Sequence, residues 1–207
     1  MDQLDQQYQQ DQHSIGPADP AELRRVAAAM PSGVALLTAA TVPGGYGTTV
    51  GTFTLASLDP PLATVYLQEG CRTLQLVPPR APFGISVLAA DQAGIARRFA
   101  RRNRTGGLEG LALWAGVQPG VVTLACAAAG FECRAIDHVR IGDHYLLLAH
   151  ITGAWRRDAI PLIHHNGELV PARSPVTNLP DLPGALTSGA GRTRNGRHPA
   201  LSHPVVA

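Results

Sequence analysis

Residues 48–61 read TTVGTFTLASLDPP, and this stretch decides the fold. Threonine is favoured in β-strands, and successive side chains of a strand point to opposite faces. A strand here directs Thr52 and Thr54 to one face and Phe53 to the other. The two prolines that follow fix the exit from the strand and hold Asp59 extended. The stretch therefore predicts a β-strand with a rigid end and an unusual density of hydroxyl groups: Thr48, Thr49, Thr52, Thr54 and Ser57.

Those hydroxyl groups allow two interpretations. Together with exposed amides at the strand end, they could hold the oxygens of a phosphate-bearing ligand. Threonine is common in strands without any ligand, however, and composition alone favours an ordinary threonine-rich strand followed by a rigid turn.

Working outward, further short apolar runs predict strands, and two segments predict helices. Residues 20–30 form a short helix with Asp19 as N-cap and Pro20 at its first position. Residues 91–102 form a second helix, with Ile95 and Phe99 on one face. Many short strands with few helices indicate a mainly β protein, a barrel with peripheral helices. The predicted strands are residues 34–40, 46–55, 62–67, 83–88, 127–136 and 144–155.

The ends of the chain differ in composition from this body. Residues 1–17 are polar and glutamine-rich, which predicts a disordered N-terminal tail. Residues 171–207 are rich in proline and glycine, which predicts an irregular C-terminal extension. One folded domain is therefore expected over residues 18–170.

Composition excludes several classes of protein. A net charge of +2 gives no basic excess for nucleic-acid binding, so no nucleic-acid partner is expected. No apolar run reaches the roughly 18 residues of a membrane span, and no secretory signal is visible. Cys71, Cys126 and Cys133 lack CxxC spacing, which favours buried thiols in a reducing compartment. We therefore expect a soluble, cytoplasmic protein without a membrane partner.

Other candidate site residues are individually ambiguous. Gly33 either ends the first helix or lets the backbone approach a ligand closely. His144 follows a Gly-Asp turn at a strand start, where an imidazole either contacts a ligand or is simply exposed. The paired His164 and His165 lack the spacing of a metal motif, so no metal is expected. An arginine cluster is either a solvated helix face or an attractive field for a phosphate-bearing cofactor: Arg97, Arg98, Arg101, Arg102 and Arg104.

The order of these blocks along the chain resembles the flavin reductase-like family, the small reductase components of two-component flavin monooxygenases. No GxGxxG, Walker A or GxSxG motif competes with this resemblance. The resemblance covers about residues 22–170. Its blocks are LRRVAAAMPSGVALLTA (23–39), TTVGTFTLASLDPPL (48–62), FGISVLAADQAGIARRFA (83–100), LALW (111–114), ECRAIDHVRIGDHYLLLAHITG (132–153) and PLIHHNGEL (161–169).

The resemblance implies a homodimeric FMN-binding split β-barrel of Greek-key type that binds FMN or FAD. NADH or NADPH would pass hydride to the flavin, and reduced flavin would reach a partner monooxygenase by diffusion. The cofactors carry this chemistry, so no catalytic side chain is expected. His144 would contact the nicotinamide. The flavin would be held by Ser32, Gly33, Thr49, Thr52, Phe53, Thr54, Ser57, Leu58, Asp59, Cys71, Thr73, Ser86 and Phe99.

Several positions depart from the family pattern. Many relatives have Ser-Ser where this chain has Gly51-Thr52, and asparagine at the position of Ser86. Cys71 replaces a hydroxyl with a weaker hydrogen-bonding sulfur. Each change removes or alters a polar contact that contributes about 1 kcal/mol to binding. Together they could make the flavin a diffusible substrate, or they could equally mark a member that has lost reductase activity. Two alternatives stay open: a flavin-binding protein without turnover, and a split barrel repurposed for another step of specialised metabolism.

Overall fold

A computed structural model describes residues 19–40, 44–101 and 107–172. The predicted N-terminal tail lies outside the described residues. So does the predicted extension, apart from Pro171 and Ala172, of which Pro171 still belongs to a strand.

Within the described residues, three α-helices accompany twelve strands. The helices are α1 (Pro20–Ala28), α2 (Arg72–Leu76) and α3 (Ala93–Ala100), the last entered through a 3-10 turn at Ala90–Gln92. The strands are β1 (Ser32–Gly33), β2 (Ala35–Ala39), β3 (Tyr46–Val50), β4 (Thr54–Leu58), β5 (Pro61–Gln68), β6 (Pro82–Val87), β7 (Leu113–Ala115), β8 (Val122–Leu124), β9 (Ala129–Ile141), β10 (His144–Arg156), β11 (Leu162–His165) and β12 (Glu168–Pro171).

Seven strands form one antiparallel sheet in the order β3-β2-β6-β9-β10-β5-β4. Its two edge strands, β3 and β4, follow each other in the chain, so the short link between them (residues 51–53) joins the two edges. The hydroxyl of Thr52 strengthens this closure: it donates to the carbonyl oxygen of Tyr66 and accepts from its N–H, both at 3.0 Å. The sheet thus curls into the predicted barrel, a mainly β fold.

The predicted single strand over residues 46–55 is wrong in one respect. The strand ends at Val50, and a new strand begins at Thr54 on the opposite edge of the sheet. Thr52 lies in the link and bonds to β5, so Thr52 and Thr54 do not share one strand face. The alternating pattern missed the break because glycine and threonine are both compatible with a continuous strand.

Two apolar clusters stabilise the barrel. β2 is buried on both faces, which explains its uninterrupted apolar sequence. Its Leu37 packs inside the barrel with Phe83 and Leu147. Leu36, on the opposite face, packs with Phe99 of α3, so the second cluster fixes that helix to the barrel wall.

The predicted helices are confirmed with adjusted ends. The carboxylate of Asp19 accepts hydrogen bonds from the N–H groups of Ala21 and Glu22, as expected of an N-cap. α3 begins two residues later than predicted, because the side chain of Gln92 bonds back to the N–H of Ala89 and holds a 3-10 turn.

Outside the barrel lie the β7–β8 hairpin and a three-stranded sheet in the order β1-β11-β12. Trp114 of the hairpin meets Trp155 of β10 edge to face, with ring centroids 4.8 Å apart. The indole N–H of Trp155 donates to the hydroxyl of Thr123, so the hairpin is tied to the barrel. Gly130 makes room for this indole, since a Cβ there would lie 2.4 Å from it.

The three cysteines are free thiols. Cys133 is buried in the barrel core, and burial raises the pKa of its thiol to about 12. Cys71 is half-buried, but Cys126 is exposed, so the expectation of uniformly buried thiols is wrong for that residue.

Among the described residues, no helix combines the length and the apolar character needed to cross a bilayer.

Candidate functional site

Two adjoining cavities run along β3. Cavity A has a volume of about 560 Å³ and cavity B about 650 Å³. They share the wall residues Thr49, Val50, Gly51 and Ala100, so they form the two halves of one cleft between β3 and α3. Pockets of this size accommodate a cofactor or substrate of low molecular mass.

Cavity A has apolar walls with a few polar groups. Val34, Val50 and Leu169 supply apolar surface. Ser32 and His164 face each other across the β1–β11 pair, and both line the cavity. Such a mixture suits a planar ring that needs a few directed polar contacts.

Cavity B is more polar and carries a cation. Its walls come from β3, from the end of β5 and from the loop that leads into α2. Arg72, the first residue of α2, lines this cavity, and its guanidinium lies 5.3 Å from the ring centroid of Tyr46. Sequence reasoning missed Arg72, although it lies between two residues that the resemblance did identify, Cys71 and Thr73.

The hydroxyl of Thr49 holds β3 against α3 at the wall of the cleft. It donates a 2.8 Å hydrogen bond to the carbonyl oxygen of Ala96, which also lines cavity A. The hydroxyl of Thr52 is hydrogen-bonded to the backbone of β5, as described above. Both residues line the cleft while their hydroxyl groups hold its walls in place.

The structure brings four of the predicted flavin-binding residues to the cleft: Ser32, Thr49, Thr52 and Cys71. Others lie nearby on different surfaces. Gly33 is exposed next to Ser32, and Phe53 packs on Phe131 with ring centroids 5.0 Å apart. Thr54, Ser57, Leu58 and Asp59 lie on the edge strand β4 or in the turn after it, and they do not line either cavity.

Three predicted contacts are buried in the protein and do not reach the cleft. Ser86 is fully buried, and its hydroxyl accepts a 2.9 Å bond from the N–H of Leu124, which joins β6 to β8. Phe99 belongs to the apolar cluster under α3. Thr73 is 1% exposed, and its hydroxyl has no hydrogen-bond partner among the described residues. Direct ligand contacts of these three side chains stay predictions.

His144 lies one strand away from cavity B. It begins β10 and pairs with Gln68, which lines that cavity. Its Nδ1 lies 2.7 Å from a carboxylate oxygen of Asp143, and this hydrogen bond lowers the pKa of Asp143. The imidazole is oriented by its neighbour and stays accessible to a ligand, with 42% of the side chain exposed.

The arginines of the predicted cluster differ in what they contact. Arg97 lines cavity A, whereas Arg98 bonds to the carbonyl oxygens of Gly107 and Glu109. Arg102 and Arg104 lie outside the described residues. Within the described part of the chain, no group of three or more ligating side chains could hold a metal ion.

Comparison with known proteins identifies the family of this chain. Residues 27–173 match the flavin reductase-like domain family. The chain is 31% identical over 159 residues to the NADH-dependent FMN reductase AsuE2 of Streptomyces nodosus subsp. asukaensis, covering 74% of this chain and 85% of AsuE2. It spans only 58% of the length of another relative, a stachydrine N-demethylase reductase subunit of Rhizobium meliloti.

Two solved structures share the fold. The NADH:FAD oxidoreductase SgcE6 of Streptomyces globisporus, in complex with NAD and FAD fragments, matches with a TM-score of 0.73 at 27% identity. That match covers 80% of this chain and 99% of SgcE6. The styrene monooxygenase flavin reductase of Pseudomonas putida S12 matches with a TM-score of 0.65 at 31% identity, covering 74% and 98%. With a barrel of this topology and a family match over most of its length, the chain belongs to the flavin reductase-like domain family.

Proposed function

We propose that this protein is an NAD(P)H:flavin oxidoreductase, which reduces FMN or FAD and supplies the reduced flavin to a partner monooxygenase. The observation that carries the proposal is the two-part cleft along β3, in which cavity A has apolar side chains along part of its wall and cavity B carries Arg72. A flavin mononucleotide has the same polarity, with a planar ring system at one end and a phosphate at the other.

The residues present fit such a group. Arg72 can pair with a phosphate at the cavity B end, where a guanidinium offers several donors to the phosphate oxygens. The apolar side chains of cavity A suit the ring system. Gly51 lies between the two halves and presents no side chain. We therefore place the phosphate end of the flavin near Arg72 and direct its ring toward cavity A.

When bound, the flavin supplies the redox chemistry, since it accepts a hydride from a reduced nicotinamide. The residues of this chain bind the flavin and the nicotinamide and orient them. The Thr49 hydrogen bond to Ala96 holds β3 against α3 beside the site, and Val34, Val50 and Leu169 offer apolar surface to the ring. Holding two reactants in contact geometry accounts for a large part of such a rate enhancement. We assign His144, beside the wall of cavity B, to the nicotinamide donor.

We propose that the protein acts as a homodimer. The outer face of the barrel carries a row of apolar side chains across three strands, because Tyr66 pairs with Leu146 and Leu146 pairs with Val139. Tyr66 and Val139 are 43% and 46% exposed. A second copy would cover this face. Val139→Asp should then shift the mass measured by light scattering from dimer to monomer, and an unchanged mass would argue against this interface.

We place the protein in the cytoplasm, because its three thiols are unpaired, as expected in a reducing compartment. Its partner would be a flavin-dependent monooxygenase that takes up reduced flavin from solution.

The deciding experiment is a steady-state assay with purified protein. NADH or NADPH is supplied with FMN or FAD, and loss of the nicotinamide absorbance is followed for each of the four pairings. Turnover with at least one pairing is expected. Arg72→Gln should raise the KM for flavin, whereas Arg80→Gln, at a residue that lines neither cavity, serves as a charge-matched control. Flavin binding without turnover in every pairing would refute the reductase function and favour a binding protein.

A further inference from the structure

The backbone and the side chain of Arg72 are held by different parts of the fold. Arg72 begins α2, and the next residue of that helix, Thr73, is buried. The guanidinium of Arg72 lies 5.3 Å from the ring centroid of Tyr46, within the range of a cation–π interaction. Tyr46 belongs to β3, where it pairs with the buried Ala39 of β2. A ring carried by the sheet therefore contacts an arginine that is otherwise exposed.

The carboxylate in the wall of cavity B does not neutralise Arg72. Among the described residues that line this cavity, Glu69 is the one acidic residue. Both of its carboxylate oxygens lie 3.2 Å from the guanidinium of Arg140, so Glu69 already has a cationic partner. Within the described part of the chain, the side chain of Arg72 forms no ion pair or hydrogen bond. Its N–H donors are therefore available to an anionic ligand.

A cation held in this way can distinguish one flavin from another. FMN and riboflavin share the ring system and the ribityl chain, and they differ only in the terminal phosphate. The N–H donors of a guanidinium match the oxygens of a phosphate in direction as well as in charge. Binding a phosphate also costs an exposed arginine its rotamer freedom. A ring that already restricts the guanidinium reduces this cost.

We propose that Tyr46 is a positioning residue: its ring holds Arg72 at the wall of cavity B, and through Arg72 it makes the site select phosphorylated flavin over riboflavin. This inference rests on the proposed function and specifies which part of the flavin the site recognises. Tyr46 acts through the guanidinium, so its replacement weakens the binding of FMN more than that of riboflavin.

The test is equilibrium titration with FMN and with riboflavin, and the quantity compared is the ratio of the two dissociation constants. A direct contact of Tyr46 with the ring system or the ribityl chain affects both ligands and cancels in this ratio. The wild type should bind FMN about tenfold or more tightly than riboflavin, and Arg72→Gln should bring the two affinities within about twofold. Tyr46→Leu should reduce the wild-type ratio about threefold or more, whereas Tyr46→Phe, which keeps a ring, should change it less than about twofold.

Tyr66→Leu is the matched control for Tyr46→Leu. Tyr66 also lines cavity B, but no described cation lies over its ring. Its ratio should equal that of the wild type. If Tyr46→Leu does not fold, as judged by circular dichroism, Tyr46→Val takes its place, since valine suits a strand.

A double variant separates positioning from a general effect on the cavity. In the background of Arg72→Gln, the added Tyr46→Leu change should alter the ratio less than about 1.5-fold, because no guanidinium is left to position. If Tyr46→Leu has the same effect on the ratio with and without Arg72, Tyr46 does not act through Arg72, and the inference is overturned.

The remaining outcomes separate this inference from the proposed function. If the wild type reduces flavin but binds FMN and riboflavin equally, or if Tyr46→Leu lowers the ratio no more than Tyr46→Phe does, the inference is overturned and the reductase function stands. If the wild type selects FMN through both residues but shows no turnover, the reductase function fails and the inference stands. Failure of the wild type to bind either ligand overturns both.

Discussion

Replacing Thr52 by valine tests how the barrel closes. Valine keeps the shape of threonine but removes both hydrogen bonds between the Thr52 hydroxyl and the backbone of Tyr66. Each such bond contributes about 0.5–1.5 kcal/mol net. Both residues are exposed, so water can replace part of the loss, and we expect a decrease of about 1–2 kcal/mol in the free energy of unfolding.

The assay is urea denaturation followed by far-UV circular dichroism, with a thermal scan beside it. For a domain of this size, each kcal/mol shifts Tm by about 2–4 °C, so Thr52→Val should lower Tm by about 2–8 °C. Thr54→Val is the matched control, because among the described residues the Thr54 hydroxyl makes one long contact, 3.5 Å to the carbonyl oxygen of Thr52. If the two variants differ by less than about 0.3 kcal/mol, the Thr52 hydroxyl does not hold the barrel closed.

Four other predictions concern different parts of the molecule. Gly84→Ala should prevent native folding, as judged by near-UV circular dichroism, because its Cβ would lie 2.0 Å from the carbonyl oxygen of Val122. A thiol reagent should modify Cys126 in the native protein but Cys133 only after unfolding. Burial raises the pKa of Cys133 from 9.0 to about 12. The stability contributed by the buried, protonated thiol should therefore be lost as pH rises through that range. Urea denaturation at stepped pH measures this loss. His144→Ala should raise the KM for the nicotinamide more than the KM for flavin, and an unchanged nicotinamide KM would reject its assigned role.

The sequence predicted the strands well where each had an uninterrupted apolar pattern. β2, β5, β6 and β10 appear within one or two residues of their expected ends. β9 continues to Ile141, five residues beyond the prediction, because its pairing with β10 extends past the apolar core into an exposed hairpin. Pairing of this kind depends on a distant strand and leaves little local signal.

The candidate site was predicted less completely than the fold. Ser32, Thr49, Thr52 and Cys71 line the cleft, and their contacts with a flavin stay predictions. The sequence could not show that Ser86 points into the core, because a strand pattern does not reveal which of two buried faces a ligand approaches. Arg72 was missed because a lone arginine resembles any surface charge until its cavity is visible.

The paired indoles of Trp114 and Trp155 have a consequence for spectroscopy. They are the only two tryptophans of the chain, and they lie in contact where the β7–β8 hairpin meets β10. Tryptophan fluorescence and exciton coupling therefore report on the contact between the β7–β8 hairpin and β10. An optical signal that disappears before the backbone signal would show that the hairpin detaches first while the barrel is still intact.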